Sequence, residues 1–129
     1  MTVADTSFII DLMRKDPGAV RLYKEYEQSD RGLDTIGITA LELYKGAYQS
    51  SDRNSLNKVK NILSLFSILP VDEQVYEVYG RLSWEMHRKG TPLGVFDEVI
   101  AAIVLCTDQE LITRDRHFEK IPELKIVSY

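Results

Sequence analysis

Four acidic residues open helical segments at wide intervals along the 129-residue chain: Asp5, Glu42, Asp97 and Asp115. Each also suits an ordinary structural role. Asp5 precedes a helical pattern and fits its N-cap. Glu42 completes Thr39-x-x-Glu42, the spacing of a capping box. Asp97 falls in the first turn of an apolar helix, where the helix dipole favours a carboxylate. Asp115 fits the cap of a short turn through Phe118. Two details go beyond capping. Asp97 heads the series Ile100, Ala101, Val104 and Leu105, so its carboxylate shares the face that must pack on the core. A charge there is costly unless it is paired or binds a metal. Gly46 follows Glu42 by one turn and leaves space beside it, although glycine costs a helix interior about 1 kcal/mol. Lys45 offers Glu42 a competing surface ion pair.

Gathered in one place, four carboxylates could not all stay ionised at neutral pH without cations. The matching cation is hard and oxygen-loving. Mg²⁺ or Mn²⁺ takes carboxylates plus waters and leaves positions open for a phosphate oxygen. Such a site activates water and stabilises charge on a phosphodiester, with one ion or with two held about 3.5–4 Å apart. Spacing alone does not bring the four acids together; that depends on the fold.

The elements that must position them alternate between short apolar runs and helical patterns. Strands are expected at Thr2–Ala4, Asp34–Ile38, Ser67–Leu69, Glu110–Ile112 and Lys125–Val127. Helices are expected at Thr6–Lys15, from Asp16-Pro17 to a break at Gly32, from a Thr39 cap to Gln49, at Ser51–Phe66, from an Asp72 cap to Lys89, and at Phe96–Thr107. The alternation implies parallel pairing through right-handed crossovers, with helices on both faces. In such sheets ligands bind beyond the carboxyl ends of the strands, which is where the four acids fall.

Composition narrows the classes. The length suits one domain, since single cores occupy about 100–200 residues. One cysteine excludes a disulfide framework and a cysteine-based zinc site, and two histidines are too few for a His-rich metal site. No apolar run approaches the roughly 20 residues of a membrane span. The N-terminus has no basic region before its apolar run, so the expectation is a cytoplasmic protein. With 16 Lys+Arg against 20 Asp+Glu, the net charge is −4. That balance disfavours a simple phosphate-coating nucleic-acid binder and leaves room for an enzyme whose acids hold cations.

The chain resembles the PIN domain over essentially its whole length, and within that family the VapC-type ribonuclease toxins of prokaryotic toxin–antitoxin pairs. The resemblance rests on Val3-Ala4-Asp5-Thr6-Ser7, on the Glu42-x-x-x-Gly46 helix, on Gly94-x-x-Asp97-x-x-Ile100-Ala101-Ala102, and on Leu111-Ile112-Thr113-Arg114-Asp115 followed by Phe118. Phe118 falls one residue earlier than in the family pattern. The resemblance implies a single PIN domain over residues 1–129. Its fold would be three-layer α/β/α, with a central parallel sheet of about five strands ordered 3-2-1-4-5. It implies a Mg²⁺- or Mn²⁺-dependent endoribonuclease in which Asp5 and Asp97 are the main metal ligands. Glu42 and Asp115 would complete the acidic pocket, and Thr6, Ser7 and Thr113 would orient the carboxylates through their hydroxyls. It also implies a homodimer and a cognate VapB-like antitoxin.

Arg14, Lys15, Lys45, Arg114, Arg116 and Lys120 lie near these motifs and are candidates for contacting RNA phosphates. Tyr76 and Trp84, partly off the stripe of their helix, suit an interface with a second copy or an antitoxin. No spacing ties His87 or His117 to a ligand set or a triad. The alternative with the same fold is a PIN nuclease acting in RNA processing or on structured DNA without an antitoxin. A receiver-type signalling domain has a similar size and class, but it needs an acidic pair after the first strand, and here Asp5 stands alone.

Overall fold

The computed structural model describes residues 1–129. Five strands and six α-helices follow one another as β1 (Thr2–Ala4), α1 (Thr6–Met13), α2 (Pro17–Gln28), β2 (Leu33–Ile36), α3 (Gly37–Gln49), α4 (Ser55–Leu63), β3 (Ser67–Leu69), α5 (Glu73–Arg88), α6 (Val95–Cys106), β4 (Glu110–Ile112) and β5 (Lys125–Val127). A 3₁₀ turn, Arg116–Lys120, joins the last two strands. All strand pairings are parallel, and the order is β3-β2-β1-β4-β5. The expected sheet is therefore the observed one. Receiver-like sheets are ordered 2-1-3-4-5, so the sheet also removes that alternative.

Side chains alternate across a strand, and the two cores follow from that. Val3 and Leu111 face one side, where α5 and α6 contribute Val75, Leu82, Met86, Ile100 and Val104. Ala4 and Ile112 face the other, where Phe8, Ile9, Tyr26, Leu43 and Val59 pack from α1 to α4. Helix α6 is apolar nearly all round because it is buried: Ala101, Ala102, Ile103 and Val104 expose nothing. No helix is long and apolar enough to cross a membrane.

Local signals explain most helix starts. Asp16 accepts from the Ala19 N–H at 3.1 Å, with Pro17 in the first turn. Asp72 accepts from the Val75 N–H at 3.2 Å. Gly94 sits at the N-cap of α6 with φ +102°, in the left-handed half of the map that suits glycine. Two expectations need correction. Helix α3 starts at Gly37 from an Ile36 N-cap that makes no side-chain bond, so β2 ends earlier than expected and Thr39 is not a cap. Thr39 is instead fully buried inside the first turns of α3, and the capping box with Glu42 does not form. Helix α4 is also shorter than Ser51–Phe66. Residues before Ser55 form a polar turn, in which Asp52 accepts from the Asn54 N–H at 2.9 Å and from Lys58 at 2.7 Å.

Candidate active site

The carboxyl edge of the sheet carries the site. Strand β1 delivers Asp5 as it gives way to α1, and β4 delivers Thr113 and Asp115. Helix α3 brings Glu42 one and a half turns in, and the first turn of α6 brings Asp97. All four acids line one cavity of about 330 Å³, together with Thr6, Ser7, Arg14 and Arg114. The topology therefore gathers residues separated by up to 110 positions into one pocket.

Asp5 is the most constrained of them. It is 4% exposed. Its Oδ1 accepts from the Ser7 hydroxyl at 2.7 Å and from the Phe8 N–H at 3.0 Å. Its Oδ2 accepts from the Thr113 hydroxyl. One side chain thus both caps α1 and lines the cavity. Thr113 in turn accepts from the Asp115 N–H at 2.9 Å, and Ser7 accepts from the Arg114 N–H at 3.1 Å. Thr6 donates to Glu42 Oε1 at 2.8 Å. Each of the three hydroxyls expected to orient the acids therefore bonds one of them. Gly46 leaves open space, since a Cβ there would meet no atom within 4 Å.

Burial raises the Asp5 carboxyl above its ordinary value of 3.8. Bonds from Thr113, Phe8 and Ser7 pull it back, and the charge of Asp115 adds to the rise. Asp97, half-buried, is also raised, first by burial and then by the charges of Asp115, Glu42 and Asp5. Two buried or half-buried carboxyls raised by burial and by neighbouring negative charge are what a cation relieves. No three His, Cys, Asp or Glu side chains are set to hold a metal ion by themselves. The cavity's carboxylates are oxygen donors, the kind of ligand that Mg²⁺ takes together with several waters.

This geometry has a consequence for stability. The folded protein holds protons on Asp5 and Asp97 more tightly than the unfolded chain does. It therefore binds more protons between pH 3.8 and the raised values. Across that window stability falls as pH rises, and above it the full cost is present. Without divalent ions, the gap in melting temperature between an Asp97→Asn variant and the parent should widen through the window in favour of the variant, then level off. Scanning fluorimetry from mildly acidic to neutral pH checks this; a gap that narrows as pH rises contradicts it.

Several features escaped the sequence reading. His117 has a partner after all: its Nδ1 lies 2.7 Å from Asp115 Oδ1. The contact is local, two residues apart, and follows from the 3₁₀ turn that Asp115 caps. Glu98, beside Asp97, is buried and accepts from the Ser83 hydroxyl at 2.8 Å and the Leu93 N–H at 3.1 Å, which fixes the loop before α6. Asp11 is buried near the pocket and binds Arg114 at 3.1 Å. Of the six candidate cations, only Arg14 and Arg114 line the cavity.

The PIN domain family model matches residues 2–124. The chain belongs to the PIN domain family. This PIN domain is similar to the tRNA(fMet)-specific endonuclease VapC of Salmonella typhimurium, with 29% identity over 95% of this chain and 92% of the relative. It is also similar to the Ribonuclease VapC of Rickettsia bellii, with 28% identity over 98% of this chain and 94% of the relative. Among solved structures, a chain of the DNA-bound VapBC from Salmonella typhimurium superposes with a TM-score of 0.88 at 28% identity, covering 98% of this PIN domain and 96% of that chain.

Proposed function

We propose that this PIN domain is a Mg²⁺- or Mn²⁺-dependent endoribonuclease, the toxin of a VapBC-type toxin–antitoxin pair. The observation that carries the reading is the meeting of Asp5, Glu42, Asp97 and Asp115 in one cavity. The names of the VapC relatives support RNA as the substrate, and the VapBC complex supports an antitoxin as partner. Tyr76, Trp84, Val95 and Phe96 are each more than half exposed. That surface suits the protein partners of the reading, a second copy and an antitoxin.

In this reading Asp5 and Asp97 hold the ion, with Glu42 and Asp115 completing its surroundings directly or through water. The ion supplies Lewis acidity and an activated water for attack on the phosphodiester. The chain's own contribution is to hold the ligands still. Ser7 and the Phe8 N–H occupy Oδ1 of Asp5 and Thr113 occupies one lone pair of Oδ2, so the carboxylate is held in one orientation with one acceptor site left for the ion. Thr6 does the same for Glu42 from the neighbouring helix. Fixing ligands through such bonds is worth about 10–100-fold in affinity or activity.

The decisive experiment is cleavage of single-stranded and transfer RNA by purified protein. Cleavage is expected with Mg²⁺ or Mn²⁺ and none in excess EDTA, with recovery when the ion is restored. Cleavage undiminished by EDTA removes the metal from the reading. No cleavage of any RNA with either ion removes the nuclease itself.

A further inference from the structure

Arg114 is held differently from the other candidate cations. Lys15, Lys45 and Lys120 are exposed, and Arg116 reaches only the exposed Glu119 at 3.6 Å. The Arg114 guanidinium is 3.1 Å from Asp11, whose side chain is 5% exposed. The same Asp11 oxygen accepts from the Tyr129 hydroxyl at 2.6 Å. Tyr129 is itself anchored, with its ring edge-on to Phe8 at 5.1 Å. The backbone joins in, since the Arg114 N–H donates to Ser7, which also holds Asp5. Three elements that meet at the rim are therefore tied together around Arg114: α1 touches its guanidinium through Asp11, the segment after β5 holds that Asp11 through Tyr129, and the turn after β4 is pinned by the Arg114 backbone N–H. Asp11 meets one guanidinium nitrogen. The side chain is still 62% exposed and lines the acidic cavity, so its other donors are left without a protein partner beside the acids.

Resting on the nuclease reading above, we propose that Arg114 is a braced phosphate-binding residue. It would take the RNA phosphate next to the scissile one, and Asp11 and Tyr129 would act as positioning residues that aim it. The arrangement answers a problem of this site: its carboxylates repel the backbone they must cut. A free surface lysine would meet that backbone as a mobile point charge. A guanidinium already tethered through one nitrogen offers planar donors that match a phosphate and has less freedom left to lose.

The test is steady-state cleavage of a short fluorescent RNA with Mg²⁺. It is paired with anisotropy of the same RNA with Ca²⁺ in place of Mg²⁺ over a salt series. Arg114→Gln is expected to raise KM about tenfold while taking little from kcat, and to reduce the salt slope of binding by about 0.7, the value for one lost phosphate contact on a single strand. Arg114→Lys should restore the slope but only part of KM, because charge returns without the fork. Asp11→Asn discriminates most sharply. Removing an acid beside the site should tighten RNA binding if only charge matters; a positioning role instead raises KM, by less than the Arg114→Gln change because the guanidinium itself remains. Unchanged KM and slope in Arg114→Gln, or tighter binding in Asp11→Asn, overturns the proposal while parental cleavage keeps the nuclease reading intact. A parent that cuts no RNA overturns both. If Asp11→Asn does not fold, the two Arg114 variants decide.

Discussion

Asp97→Asn should abolish RNA cleavage, with a loss of about a thousandfold or more, as expected for a group that acts only in concert with its partners. Asparagine keeps the shape and one acceptor oxygen but gives up the charge. The structure makes this position unusually sensitive. Asp97 is the acid raised by all three of the others, Asp115, Glu42 and Asp5, so it lies where their fields overlap. That is also where a cation would gain most. The same substitution should make the metal-free protein more stable, because it removes a half-buried charge from a repelling group. Activity and stability are thus expected to move in opposite directions on one substitution, which ordinary misfolding does not produce. Cleavage rate and melting temperature, measured on the same preparation without and with Mg²⁺, check both halves. A variant that still cuts at the parental rate would remove Asp97 from the site.

Phe8→Ala should cost about 3–5 kcal/mol of folding stability, the range for removing a fully buried aromatic ring. Total stability for a domain of this kind is about 5–15 kcal/mol, so the loss is a large share of it. Phe8 exposes nothing and is among the largest fully buried side chains of the protein. It joins α1 to the sheet and supports the Tyr129 ring. Its backbone N–H, which Asp5 caps, survives the substitution. Urea denaturation should therefore show a lower midpoint with an unchanged slope, while the folded fraction keeps an Asp5 cap. A loss under about 1 kcal/mol would mean that the site collapses around the gap far better than packed cores usually do.

The alternation of apolar runs and helical stripes was enough to read five parallel strands and both helical layers, because each element states its period locally. The strand order came from motif resemblance, since nothing in a three-residue strand names its neighbour. Boundaries failed where no side chain marks them. Helix α3 leaves β2 with no intervening loop and no capping side chain, and Thr39 only looks like a cap. The polar turn before Ser55 reads as helix until the Asp52–Lys58 pair is seen. For the site, all four acids and the three hydroxyls were legible because each sits in a short motif. Asp11, Arg114 and Tyr129 were not legible as a unit. They are separated by 103 and 15 positions and meet only because β1, β4 and β5 lie side by side. Asp11 carries no local sign of its burial, since a charged residue in that turn of a helix normally faces water.

The central place of β1 has a consequence for how the protein is made. Strand β1 pairs with β2 on one side and with β4 on the other, and the contact from Thr113 to Asp5 spans 108 positions. Long-range pairings of this kind form late, because chain closure must precede their reward. On the ribosome, Asp5 and Glu42 emerge long before Asp97 and Asp115. A nascent chain therefore carries half of an acidic pocket, with the Oδ2 of Asp5 still waiting for its threonine. In the proposed reading, RNA cleavage therefore waits until β4 and the turn after it have left the ribosome and closed the pocket.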